Sequence, residues 1–168
     1  MKFVGLIFAA SSFILFAAIK LRAYRDRIMT VQEVLDFLQR IKQELSSMPA
    51  PMQDMFLNIA EKNPNGKNIF LKLAEDMNLL GEKCFYDIWK ENIIAFFPQL
   101  STDEKHEIIS LGAGLGFSST QMQIKLIENC EELLSETVRE EKNAYPKIHK
   151  LYIGLSAAAA AALIIVFI

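Results

Sequence analysis

The stretch TVQEVLDFLQRIKQELSS, residues 30–47, sets Val31, Val34, Leu35, Leu38, Ile41 and Leu45 at intervals of three and four. That spacing lays one apolar stripe along a helix, and nothing in the stretch alternates with the period of two that a strand needs. Thr30 and Glu33 open it as a capping box, the hydroxyl serving one orphan amide and the carboxylate reaching back to another. Working outward, the rest of the central chain reads the same way.

Met48-Pro49-Ala50-Pro51 stops this helix and starts a short second one, because proline is tolerated in a first turn and not in an interior. Phe56, Leu57, Ile59 and Ala60 supply its inner side, and Asn63-Pro64-Asn65-Gly66 turns the chain. A third helix is predicted over residues 67–80, with Ile69, Phe70, Leu73, Met77 and Leu80 inside and Gly81 as its stop. The fourth, over 83–97, carries Phe85, Ile88, Trp89, Ile93 and Phe96 and ends before Pro98. Ser101 and Glu104 form a capping box for a fifth, whose Ile108, Ile109, Leu111 and Leu115 are apolar and whose end is Gly116. Ser118 or Ser119 caps a sixth, running to about Tyr145 with Ile124, Ile127, Leu134 and Val138 along one side. Six amphipathic helices with short connections predict an all-α antiparallel bundle, since each stripe must be buried against a sequence neighbour.

Two apolar segments flank this bundle, residues 3–19 and 151–168. The first has no charged residue, and its ten strongly apolar side chains favour membrane entry by about 3–6 kcal/mol. The second joins Leu151, Ile153 and Leu155 to the run 163–168 through an alanine tract that forms helix readily. Each gives roughly 26 Å of helix against a hydrocarbon core of about 30 Å, a gap that flanking bases close by snorkelling. Lys20, Arg22, Arg25 and Arg27 follow the first segment, and Arg139, Lys142, Lys147 and Lys150 precede the second. By the positive-inside rule both place the middle of the chain in the cytosol. The division expected is an N-terminal anchor over 1–19, a cytosolic helical bundle over 20–150 and a C-terminal anchor over 151–168. A cleaved signal peptide is the competing reading of the first segment, disfavoured because no small-x-small site follows it and bases crowd its far flank. Pro146 should kink or break the sixth helix just before the second segment.

With 18 basic and 20 acidic residues, the chain offers no basic excess for a nucleic-acid partner. Cys84 and Cys130 lie far apart, and His106 and His149 are the two histidines, so no zinc-ligand spacing is present; buried thiols in a reducing compartment are the plainer reading. His106 sits among Glu104, Lys105 and Glu107 in a first helical turn, as a solvated side chain does, and no nucleophile stands near it in sequence. No catalytic residue, cofactor or metal is expected. Met48, Met52 and Met55 flank the proline break, where they serve either as core filling or as an adaptable contact surface. Trp89, on an apolar stripe, reads as a core anchor.

Leu111-Gly112-Ala113-Gly114-Leu115-Gly116 invites a phosphate-loop reading, but a helix rather than a strand precedes it and Phe117 stands where a lysine would. The structural reading is that Gly112 and Gly116 smooth one helix face for a close neighbour. The run through residue 125 includes Leu111, Gly112, Leu115, Gly116, Ser118, Gln123 and Lys125, and with Trp89 and the two apolar segments it resembles the stage III sporulation protein AB family. Ser119 departs from the acidic residue usual in that family at this point, although serine caps a helix about as well. The resemblance implies a non-enzymatic membrane platform of the sporulation complex that joins mother cell and forespore, similar to the six-helix platform protein of type II secretion and type IV pilus systems. It also implies a secretion-type ATPase and other small membrane proteins as partners, in the outer forespore membrane facing the mother-cell cytoplasm. Homo-oligomer formation is compatible with the same layout. An adaptor or sensor without an ATPase would have the same anchors and bundle.

Glu128, Glu132, Glu136 and Glu140, four apart, draw an acid ridge along the sixth helix. Like charges at that spacing repel by a few tenths of a kcal/mol per pair, which either solvent or a basic partner relieves. The ridge is the candidate docking face, beside the plainer reading of a solvated helix surface.

Overall fold

The computed structural model describes residues 2–47, 50–63, 66–115 and 118–167, with side chains described for these except 2–11, 13, 14, 160 and 163–167. Among the described residues there are six α-helices and one short 3-10 turn: α1 (Lys2–Ser47), α2 (Met52–Lys62), α3 (Lys67–Asp76), the turn Met77–Leu79, α4 (Phe85–Phe96), α5 (Thr102–Gly114) and α6 (Thr120–Phe167). The all-helical expectation holds. The chain divides into two compact units, one of residues Thr30–Thr137 and one of Met1–Met29 with Val138–Ile168.

In the first unit, consecutive helices pack on one another, α2 on α3, α3 on α4 and α4 on α5. From α1, Val31, Val34, Leu38 and Ile41 are buried as the stripe requires. Phe37, outside that stripe, is buried too, and its ring stacks on Phe70 of α3 at 5.0 Å and on Trp89 of α4 at 5.6 Å, with Phe97 at 5.8 Å. Each such aromatic pair adds about 0.5–1.5 kcal/mol to the burial of its rings. Glu44 is the buried charge of α1, and Lys62 at the end of α2 donates to both of its carboxylate oxygens, at 2.9 and 2.8 Å.

Several expectations are corrected here. Thr30 is no helix cap, because α1 already runs through it; its hydroxyl donates instead to Gln99 Oε1 at 2.9 Å. Leu80 is exposed, because α3 tightens into the 3-10 turn and then leaves the helix, with Gly81 at φ +110° making the turn away. Leu57 faces solvent and Met55 takes the inner position on α2. At the end of α4 the inward side chain is Phe97, 6% exposed, rather than Phe96, 38% exposed. Phe97 is the C-cap residue at φ −122°, ψ 59°, and that departure from helical geometry swings its ring under the bundle. The Ser101–Glu104 capping box forms as predicted, with Ser101 N–H donating to the Glu104 carboxylate at 2.7 Å and Glu104 N–H to the Ser101 hydroxyl at 3.3 Å.

In the second unit, Tyr24 of α1 stacks on Tyr145 of α6 at 5.9 Å, Tyr24 Oη donates to the Glu141 carbonyl at 3.3 Å, and Arg27 pairs with the Glu141 carboxylate at 2.9 Å. Burial, then the neighbouring Glu141, pushes the Tyr24 phenol above its ordinary value against the opposing effect of Arg27. Of the two outcomes expected at Pro146, a kink or a break, the break does not occur: α6 runs through it. Its missing N–H removes one helical hydrogen bond. Around it, Glu141 and Tyr145 are held by α1, and His149 packs on Tyr145 at 5.9 Å.

Neither α1 nor α6 breaks at residues 19–20 or 150–151. Among the described residues no helix is long and apolar enough to cross a membrane. The side chains of 3–8, 13, 14 and 163–168, on which the reading of the two anchors largely rests, lie outside those described. The described ones beside them are large, apolar and well exposed: Leu15, Phe16, Ile19, Leu151, Ile153 and Leu155 are 50–67% open to their surroundings.

Candidate docking surface

Two glycines and an indole decide how α5 meets α4. Trp89 is fully buried and its Nε1–H donates to the Ile108 carbonyl of α5 at 2.8 Å. One turn further along α5, a Cβ on Gly112 would fall 2.5 Å from Trp89 Cδ1 and 2.8 Å from Cγ, so only a glycine leaves room for the ring. Leu111 and Leu115 are buried on the same helix end. Helix α5 closes at Gly114, with Leu115 as its C-cap and Leu115 N–H donating to Leu111 O at 2.9 Å. Gly116, predicted as its stop, lies outside the described residues.

The turn into α6 is latched by the remaining motif side chains. Ser118 Oγ donates back to the Gly114 carbonyl at 2.8 Å, and the amide of Gln123, a buried side chain, donates to the Ser118 carbonyl at 2.8 Å. The capping hydroxyl is that of Ser119, which accepts from Met122 N–H at 3.4 Å. Gly114, the second glycine of the Gly-Ala-Gly run, also lies close to a neighbour: a Cβ there would meet Leu126 Cδ1 at 2.3 Å, the movable tip of that side chain.

Lys125 differs from the other motif residues described. Its side chain is exposed on α6. At about 100° per residue, Ile127, Cys130, Leu134 and Gln123 occupy the buried side of α6, while Lys125, Glu128, Glu132 and Glu136 lie on the opposite, exposed side. Met122 and Leu133, 49% and 53% exposed, lie at one edge of that side, about 90° around the helix from the glutamate line, and a shallow depression of about 380 Å³ runs between Asn129, Glu132, Leu133 and Glu136. The acid ridge is thus bordered along one edge by exposed apolar side chains, a mixture that a partner surface could use. Glu140, predicted as the fourth ridge residue, is exposed but belongs to the other unit. Glu131, beside the ridge, turns inward and pairs with Lys42 of α1.

A second concavity of about 360 Å³ is floored by Phe37, Phe70, Phe96 and Phe97, with Glu33, Asp36 and Arg40 around it. Arg40 is held by the Asn63 side chain. Among the described residues no three His, Cys, Asp or Glu side chains gather as a metal would require. Cys84 is exposed as the N-cap residue of α4, its thiol 2.9 Å from Asp87 Oδ2. Cys130 is buried, and burial above all, with Glu107 and Glu131 nearby, pushes its thiol up to about 12. His106 is exposed, Met55 is buried and Met52 half-buried; Met48 lies outside the described residues.

Comparison with curated proteins and with solved structures returns no match. The family model described as Stage III sporulation protein AB matches residues 2–168, a span that holds the Trp89–Gly112 joint, the Ser118–Gln123 latch and both apolar segments. The chain therefore belongs to the stage III sporulation protein AB family, and its work is related to sporulation.

Proposed function

We propose that this protein is a non-enzymatic membrane platform in the secretion-like complex of sporulation, anchored by two spans, with its bundle in the cytosol as the dock for a secretion-type ATPase. The observation that carries the reading is the pair of exposed apolar bands, Leu15, Phe16 and Ile19 on α1 and Leu151, Ile153 and Leu155 on α6. Water opposes such exposure and a bilayer removes the opposition. The bands lie directly outside the bases of residues 20–27 and 139–150, the order that anchors a cytosolic domain. The membrane proposed is the outer forespore membrane, with the bundle facing the mother-cell cytoplasm.

Docking is assigned to the outer face of α6, where Glu128, Glu132 and Glu136 form a line with exposed Leu133 and Met122 along its edge. The ridge stands on the same helix that carries the C-terminal apolar segment, so α6 is the proposed path for ATPase movement toward the membrane. The test is co-purification of the ATPase with the full chain from membranes. Reversing Glu132 and Glu136 to lysine is expected to weaken recovery at least about tenfold at low salt, with the wild-type complex itself weakening as salt rises. An ATPase that never accompanies the wild-type chain would leave an anchored adaptor or sensor as the reading; full recovery with the reversed ridge would move the dock elsewhere.

A further inference from the structure

We propose that residues 20–27 of α1 and 139–150 of α6 form a collar that recognises anionic phospholipid headgroups. The inference rests on the two-span reading above and adds a ligand class to it. The first observation is a partition of charge. The collar holds eight Lys and Arg against three acids, whereas residues 28–138 hold nine against seventeen. An anionic surface attracts the former and repels the latter, so headgroup binding is confined to the collar.

The second observation is the arrangement of the bases. Arg22 and Arg25 are exposed on α1, and Arg139, Lys142, Lys147 and Lys150 are exposed on α6. At about 100° per residue those four on α6 fall within one sector of roughly 140°, away from the Glu141 and Tyr145 side that packs against α1. Arg27 turns in, to pair with Glu141. The collar therefore has a directed basic face on α6 and two further exposed bases on α1, which the Tyr24–Tyr145 stack holds against it.

The third observation ties the collar to a bilayer rather than to a soluble polyanion. Lys20 lies over the Phe16 ring at 5.8 Å, joining the basic collar to the exposed apolar band. Phe16, Ile19, Leu151 and Ile153 follow on the far side of the bases, exposed. Charge followed at once by exposed apolar side chains matches a headgroup layer above acyl chains, and a nucleic acid offers nothing to the second part.

The experiment reconstitutes the full chain into phosphatidylcholine bilayers containing a trace of spin-labelled phosphatidylglycerol or spin-labelled phosphatidylcholine and measures the motionally restricted lipid by electron spin resonance. Phosphatidylglycerol should associate about three- to tenfold more strongly than phosphatidylcholine at low ionic strength, the ratio falling toward one near 1 M salt. Arg139→Gln, Lys142→Gln, Lys147→Gln and Lys150→Gln together should abolish most of that ratio while leaving restricted phosphatidylcholine and the protection of buried Cys130 unchanged. Equal association of the two lipids with the wild-type chain, or a ratio that survives the four changes, overturns the inference. Restricted lipid of neither kind would overturn the two-span reading instead.

Discussion

Gly112 on α5 and Trp89 on α4 occupy one another's space: the indole fills the position where a Cβ on residue 112 would stand, 2.5 Å from Cδ1. The ring cannot retreat without giving up its hydrogen bond to the Ile108 carbonyl. Gly112→Ala gains up to about 1 kcal/mol in helix propensity. Overpacking against a fixed aromatic ring costs more, so the substitution is expected to destabilise the full chain by about 1–3 kcal/mol in denaturant titrations followed by helical circular dichroism. In a Trp89→Ala background the same change should cost under about 1 kcal/mol, because the clash has been removed. Equal costs in both backgrounds would show that the two residues do not act together.

Gly114 should behave differently although its nearest contact is shorter. A Cβ there meets Leu126 Cδ1 at 2.3 Å, but the next atom of that side chain, Cγ, is 3.8 Å away. Only the tip of a half-buried leucine stands in the way, and rotation about its side-chain bonds clears it. Gly114→Ala is expected to change stability by less than about 1 kcal/mol in the same titration, well below the effect at Gly112.

What the sequence made legible follows from how each signal works. Helix stripes fix which side of an element faces inward, and Val31, Val34, Leu38 and Ile41 were readable for that reason. Phe37 was not, because it sits beside the stripe and is buried by Phe70, Trp89 and Phe97, partners brought in by tertiary packing. Phe96 and Phe97 were exchanged because the last turn of α4 ends in a non-helical cap, where helical periodicity no longer says which way a side chain points. Thr30 and Glu33 spell a capping box, yet such a pair caps only where a helix begins, and α1 begins far upstream. In the candidate docking surface, the glutamates at intervals of four are plain; that Leu133 and Met122 lie exposed beside them depends on which side of α6 the bundle buries.

Asp76 supplies a pH test of the bundle. Its burial works against the charge, but hydrogen bonds from Lys72 at 2.7 Å and Asn92 at 2.8 Å outweigh it and hold the carboxyl below its ordinary value. A group whose pKa falls on folding contributes stability above its unfolded value, about 4, and loses the contribution as pH drops through the depressed folded value. Asp76→Asn should therefore destabilise the protein by about 0.5–1 kcal/mol at pH 7, the difference shrinking toward zero as the medium is acidified below about pH 3. A difference independent of pH would assign the effect to hydrogen-bond geometry alone.

The side of the membrane on which the bundle lies is open to direct measurement, because the chain carries its own reporter. Cys84 is exposed at the start of α4, whereas Cys130 is buried with its thiol pushed up to about 12, so a maleimide should read Cys84 and leave Cys130 silent in the folded protein. A membrane-impermeant maleimide applied to intact vegetative cells that produce the chain in their plasma membrane, where one bilayer separates reagent from cytosol, is expected to leave Cys84 unlabelled, and the same reagent after permeabilisation to label it fully, with Cys84→Ser as the blank. Labelling of Cys84 in intact cells would put the bundle outside the cytosol and contradict the platform account.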